Sequence, residues 1–259
     1  MPLGRISRRH FNILGIFLGL AALLLGGLLA GCGSDGNSKS ITVAAASSLS
    51  GAFEAAKAEF EASHPGTSIT LSFGGSSSLA QQILDGAPID VFASADNETM
   101  QRVALERAGP ATTFTTNTLE IMVEKGNPLG IATLSDLARP DLIYITCAPE
   151  VPIGKYSDEV LKRAGVTVAP SSFEPDVKGI VTKITSGEAD AGIVYSTDVV
   201  AAGDRAAGIT IPMNQNVMAS YPIARLYRAR HNSTAEAWID FINGTEGQTI
   251  LTRFGFISP

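Results

Sequence analysis

The sequence predicts an α/β protein of two lobes with a ligand cleft between them, and three observations carry that expectation. Short apolar strands alternate with helices of roughly ten residues, the pattern of sheets covered on both faces. The alternation comes in two series, Ile41 to Val123 and Thr133 to about Pro212, with a return from Tyr221 to the C-terminus. Serine clusters stand where the first two strands give way to helices. With 259 residues, 45% of them hydrophobic, the chain can bury its cores without disulfide staples.

The elements follow in order. Ile41-Thr42-Val43-Ala44-Ala45-Ala46 is a buried strand bounded by Ser47-Ser48. Leu49, Phe53, Ala56 and Phe60 recur at helical spacing, and Pro65-Gly66 ends that helix. Ser68 to Phe73 alternates as a strand, Gly74-Gly75-Ser76-Ser77-Ser78 follows, and a helix runs over 79–84 until Gly86 and Pro88. Ile89 to Ser94 reads as a strand, Asn97 to Ala108 as a helix, and Thr118 to Val123 as a strand ending at Gly126-Asn127-Pro128. The second series has strands near 142–146, 191–195 and 208–211, with helices near 155–164 and 177–186. One further strand and a helical region near 234–253 complete the chain. Sheets of this kind are expected to be parallel.

Residues 1–31 form an address rather than part of the fold. Arg5, Arg8 and Arg9 precede the uncharged stretch Phe11 to Ala30, which closes on Leu29-Ala30-Gly31-Cys32. Small residues before a cysteine resemble the lipobox of bacterial lipoproteins, so Cys32 is the expected acylated N-terminus of the mature chain. A transmembrane helix is the alternative that the length allows. Ser7-Arg8-Arg9-His10-Phe11 also resembles a twin-arginine signal, which leaves both export routes open. Gly33 to Ser40, polar and rich in Gly and Ser, reads as a tether. The expected layout is a signal peptide at 1–31, a tether at 32–40, one lobe from 41–117 and 222–259, and a second lobe from 118–221.

Composition excludes several functions. The net charge is −6, and without the three leader arginines 16 basic residues face 25 acidic ones, a net of −9. No basic run exists to neutralise nucleic-acid phosphates. Three histidines and two cysteines provide little for a metal site, and Cys147, closing an apolar run, reads as a buried structural thiol. The sequence has no G-x-S-x-G elbow, P-loop, S-x-x-K or H-E-x-x-H motif. Asp90 and Asp96 could pair as carboxylates, although Asp96 is more simply a helix cap.

What remains is donor chemistry. Serine at a strand–helix junction is ordinarily an N-cap, but two clusters in consecutive units share one crevice in an open α/β sheet. Helix N-termini bind anions without any basic side chain. Val151-Pro152-Ile153-Gly154 and Asp176-Val177 supply two more such termini, with main-chain N–H groups at Ile153 and Val177. Tyr195 ends the run Ala191-Gly192-Ile193-Val194, and a buried hydroxyl there needs a partner.

With these motifs placed, residues 41–257 resemble the bacterial molybdate-binding lipoproteins of ATP-driven molybdate import. The resemblance rests on Ala44-Ala45-Ala46-Ser47-Ser48-Leu49, on Phe73-Gly74-Gly75-Ser76-Ser77-Ser78-Leu79-Ala80 and on the stretch from Gly86 to Asp96. Val151-Pro152-Ile153-Gly154, Gly192 to Asp198, Tyr221-Pro222-Ile223-Ala224 and Arg253-Phe254-Gly255-Phe256 add to it. It implies the two-lobed periplasmic-binding-protein fold, type II, and an oxyanion held by neutral donors alone. Ser48 and Ser76 would donate hydroxyls, Ile153 and Val177 main-chain N–H groups, and Tyr195 its phenol. Ser47 beside Ser48 leaves the first assignment open between neighbours. Gly74-Gly75 replaces small residues such as Ala-Ser, a departure expected to be harmless. Ile153 stands where a smaller side chain is common.

The implied function is a lipid-anchored, extracytoplasmic receptor for molybdate, and for tungstate, that serves a permease and its ATPase. It would be a monomer, with no catalysis, no cofactor, no free metal cation and no nucleic-acid partner. Sulfate or phosphate is the alternative ligand class, and an enzyme on the same two-lobed fold is the distant alternative.

Overall fold

Apolar runs that end in small polar residues build two five-stranded sheets, one in each lobe. The computed structural model describes residues 39–259, so the expected signal peptide, Cys32 and the tether up to residue 38 lie outside the described residues. Strand β1 (Lys39–Ala46) passes through a 3₁₀ turn (Ser47–Leu49) into α1 (Ser50–Ser63). Next come β2 (Thr67–Gly74) with α2 (Ser76–Leu84), β3 (Val91–Ala93) with α3 (Asn97–Arg102), and β4 (Thr112–Asn117). The chain then crosses to β5 (Leu119–Glu124), β6 (Tyr144–Cys147), α4 (Pro152–Ala164), β7 (Ser172–Glu174) and α5 (Val177–Thr185). After β8 (Ala191–Tyr195), α6 (Ser196–Ala202) and β9 (Ala206–Thr210) it returns through β10 (Ala219–Arg225) to α7 (Asn232–Asn243) and α8 (Thr245–Arg253).

The first sheet has the order β2-β1-β3-β10-β4 and the second β7-β6-β8-β5-β9. Neither is purely parallel, which corrects the expectation from the alternating pattern. Strand β10 runs antiparallel to β3 and β4, and β5 runs antiparallel to β8 and β9. The reason lies in the crossing. A strand that enters a lobe from the junction runs away from the cleft, whereas the strands that feed cleft-facing helices run toward it.

Most elements fall where periodicity places them, with shifted ends. Strand β1 begins at Lys39, inside the segment read as tether, and β3 is shorter than Ile89–Ser94. The helix expected over 97–108 stops at Arg102, and a 3₁₀ turn (Ala104–Glu106) follows. Three elements had no apolar signature to announce them: β4 is largely Thr and Asn, β7 has three residues, and α6 begins directly after the last residue of β8.

Leu49, Phe53, Ala56 and Phe60 are all buried, as their spacing requires. Phe53 and Phe60 meet Trp238 of α7 edge-on, with centroids 5.6 and 5.4 Å apart, arrangements worth about 0.5–1.5 kcal/mol each beyond area burial. Cys147 is a buried free thiol, and burial pushes its pKa upward, so it is structural rather than reactive. Among the described residues, no helix is long and apolar enough to cross a membrane.

Asp90 and Asp96 form no carboxylate pair. Asp90 takes the N–H groups of Thr42 at 2.6 Å and Arg230 at 2.7 Å, which ties β1 to the segment after β10. Asp96 caps α3 by accepting the Thr99 N–H at 2.7 Å.

Candidate functional site

The lobes face each other at the C-terminal ends of β1, β2, β6, β7 and β8, the position where open α/β sheets bind ligands. A small cavity lies there. Ser48, Ser76, Ile153, Val177 and Tyr195 all line it, brought together from five separate strand ends. Ser47, the neighbour that sequence could not separate from Ser48, lines it as well.

Four helix N-termini converge on this cavity. Ser48 lies in the 3₁₀ turn that opens α1, Ser76 is the first residue of α2, Ile153 the second of α4 and Val177 the first of α5. Each terminus carries a partial positive charge of about half a unit, so the four together suit a doubly charged anion. The wall contains no Lys, Arg or His. The nearby cations are committed elsewhere: Lys155 pairs with Asp96 and Glu98 at 3.4 and 2.9 Å, and Lys178 pairs with buried Asp198 at 2.9 Å.

The local chemistry of each donor differs. The serines are not N-caps: the 3₁₀ turn and α2 have no side-chain cap, and Gly75 occupies the cap position of α2. Instead, the Ser76 hydroxyl oxygen accepts the Ala95 N–H at 3.0 Å, which leaves its own hydrogen to donate. Ser48 Oγ lies 3.1 Å from the Tyr221 hydroxyl. Proline at the first position of α4 and the uncapped Val151 leave the Ile153 N–H without a protein acceptor among the described residues. In α5 the Asp176 carboxylate takes the Lys178 and Gly179 N–H groups at 2.8 and 3.3 Å, and the Val177 N–H remains. The Ile153 side chain is buried and belongs to the hydrophobic core.

Tyr195 is the most informative member. It is buried, lines the cavity, and its hydroxyl has no hydrogen-bond partner among the described residues. Burial, reinforced by neighbouring Tyr221, Tyr156, Asp96 and Asp198, holds its pKa well above the ordinary phenol value, so it stays a donor. An unmade buried hydrogen bond costs about 1–3 kcal/mol, a cost that a bound acceptor would relieve. Asp176 is the single carboxylate in the wall, and its Oδ1 is occupied by the helix cap.

Contacts across the cleft were not legible in sequence. Gly75 of the first lobe packs against Pro175 of the second, and a Cβ there would lie 2.5 Å from the Pro175 oxygen. Tyr156 of α4 donates to the Ala95 oxygen at 3.3 Å. With the Lys155 pairs, these contacts hold the lobes together over the cavity. Gly154 is needed for another reason: a Cβ would collide with the Cys147 and Ala148 carbonyl oxygens, so only glycine lets α4 start so close to β6.

The buried tyrosines set an alkaline limit to stability. Burial raises Tyr144 to about 12 and holds Tyr195 and Tyr221 well above the usual value near 10. Above pH ~10 the unfolded chain releases phenolic protons that the folded chain keeps. Stability is therefore fully present below that pH and falls as pH rises through the folded values, by on the order of 2–3 kcal/mol for Tyr144 alone. Urea midpoints at mildly and strongly alkaline pH, with phenolate absorbance recorded alongside, should show this loss. An unchanged midpoint would contradict it.

Residues 41–257 match the family described as bacterial extracellular solute-binding protein. The chain is 36% identical to the molybdate-binding protein ModA of Mycobacterium tuberculosis over 259 residues, covering 95% of this chain and 99% of the relative. The sulfate-binding protein SubI of the same organism superposes with a TM-score of 0.77 at 20% identity, over 84% of this chain and 86% of that one. The periplasmic molybdate-binding protein of Azotobacter vinelandii gives 0.75 at 21% identity, over 85% and 99%. The two superpositions establish the two-lobed binding-protein fold, and the family match covers both lobes and every cavity-lining residue. The chain belongs to the bacterial extracellular solute-binding proteins.

Proposed function

We propose that this protein is the extracytoplasmic receptor that captures molybdate and hands it to an ATP-driven importer. The observation that carries the reading is the Tyr195 hydroxyl, a buried donor with no protein acceptor, in a wall of four helix N-termini and no cationic side chain. A fully ionised tetrahedral dianion offers only acceptors, which is what Ser48, Ser76, Ile153, Val177 and Tyr195 call for. The mycobacterial relative, named for molybdate binding, matches almost the full length of both chains. Tungstate has the same charge and shape and would bind through the same donors.

The remaining parts of the proposal follow from that role. Acylated Cys32 tethers a monomer to the membrane, and the lobes close over the ion and present it to a permease with its ATPase. The lobe divisions near 117/118 and 221/222 supply the hinge. No bond is made or broken, since the wall holds no paired acid and base and its one carboxylate caps a helix.

Thermal unfolding titrated with molybdate, tungstate, sulfate and phosphate tests the reading. Ligand at a hundred times its dissociation constant adds about 2.7 kcal/mol to stability. Molybdate and tungstate should produce that rise, and Ser76→Ala should weaken binding roughly tenfold or more by removing a hydrogen bond to a charged group. Stabilisation by sulfate or phosphate in preference to molybdate would redirect the substrate, and no response to any of them would end the oxyanion reading.

A further inference from the structure

We propose that Tyr221 is a positioning residue that fixes the direction of the Ser48 hydroxyl and thereby keeps its hydrogen available to a bound oxyanion. This rests on the oxyanion reading above and adds a residue that does not itself line the cavity. The two serines are not equivalent. The hydrogen of Ser76 is turned outward by a main-chain N–H, the Ala95 donor, which cannot reverse. The partner of Ser48 is a hydroxyl, Tyr221 Oη at 3.1 Å, which could donate or accept.

The surroundings of Tyr221 decide the direction. Its side chain is completely buried, ringed edge-on by Phe114, Tyr195 and Phe256. Besides Ser48, its polar neighbour is the Asn117 amide at the crossing between the lobes. Asn117 Oδ1 already accepts the Thr118 N–H at 3.0 Å and the Ser196 hydroxyl at 2.7 Å, while its Nδ2 donates to Thr197 Oγ1 at 2.9 Å. With both lone pairs of Oδ1 used, the Tyr221 proton has one acceptor left, Ser48 Oγ. The bond therefore runs from Tyr221 to Ser48, and the Ser48 hydrogen is left for the ligand. Burial keeps Tyr221 protonated, consistent with this direction.

The consequence is a donor set before the ligand arrives. Without the Tyr221 hydroxyl the Ser48 hydrogen has no fixed direction and must be oriented as the ligand binds.

Calorimetric titration of the wild type, Tyr221→Phe, Ser48→Ala and the double variant with molybdate tests this. Tyr221→Phe is expected to weaken molybdate roughly tenfold. In the Ser48→Ala background it should change molybdate affinity less than about twofold, because coupled residues do not add. Equal losses in both backgrounds, or no loss in Tyr221→Phe, would overturn the proposal while leaving the receptor reading intact. A wild type that binds no oxyanion overturns both. Should Tyr221→Phe not fold, hydroxyl-proton NMR of the wild type reads the same direction. A Tyr221 proton on the Ser48 side supports the proposal, and one directed at Asn117 overturns it.

Discussion

Tyr195→Phe is expected to weaken molybdate binding by roughly 10- to 150-fold while raising the stability of the ligand-free protein. The two effects have one cause. The phenol hydroxyl is buried in the cavity wall without a protein partner, and burial keeps it protonated. A hydrogen bond to a charged acceptor is worth about 1.5–3 kcal/mol, which sets the range of lost affinity. In the free protein the same hydroxyl is an unmet buried donor, so its removal relieves about 1 kcal/mol or more. For a chain of this size that is a rise of roughly 2–4 °C in Tm. Calorimetric titration and a melting curve of the free variant measure both signs. Weaker binding together with a lower free Tm would mean that Tyr195 is a packing residue, and the oxyanion assignment would lose its main support.

Gly75→Ala is expected to leave the separate lobes as stable as before and to weaken ligand binding by roughly 5- to 150-fold. Gly75 has φ −62° and ψ 131°, a backbone conformation that any residue adopts, so alanine brings no local strain. Its Cβ would, however, lie 2.5 Å from the Pro175 oxygen, a main-chain atom of the opposite lobe. Overpacking of this kind costs about 1–3 kcal/mol, and here the cost falls on closure alone. In the open form, loss of glycine's freedom in the unfolded chain works the other way, by about 0.4–1 kcal/mol. Binding, melting and the ligand-induced fall in radius of gyration from solution scattering separate these contributions. Unchanged affinity and full compaction on adding molybdate would show that the lobes close without the Gly75–Pro175 contact. The sequence reading took glycine at this place as a harmless departure, because the contact is with a residue a hundred positions away.

How the chain encodes the site is clearest at the residues themselves. Local pattern was enough to place Ser48, Ser76, Ile153, Val177 and Tyr195 at strand and helix ends, because the 2.0 and 3.6 periodicities break there and glycine or proline marks the junction. The same pattern announced β1, α1, β2, α2, α4, α5 and β8, whose buried faces are continuous runs or stripes. It could not announce β4, where Thr115 and Asn117 are buried polar residues held by tertiary hydrogen bonds. Nor could it show strand direction, since a strand reads the same whether it enters a lobe from the junction or leaves toward the cleft. The Tyr221–Ser48 hydrogen bond, the Gly75–Pro175 contact and the Lys155 pairs join residues far apart in the chain. Sequence by itself determined the α/β class and the ends at which donors stand, because those depend on neighbours a few residues away. Only the tertiary structure decided that these residues line one cavity, which partners their polar atoms meet and what packs over them, because hydrogen bonding and close packing depend on which distant atoms come within three ångströms or so.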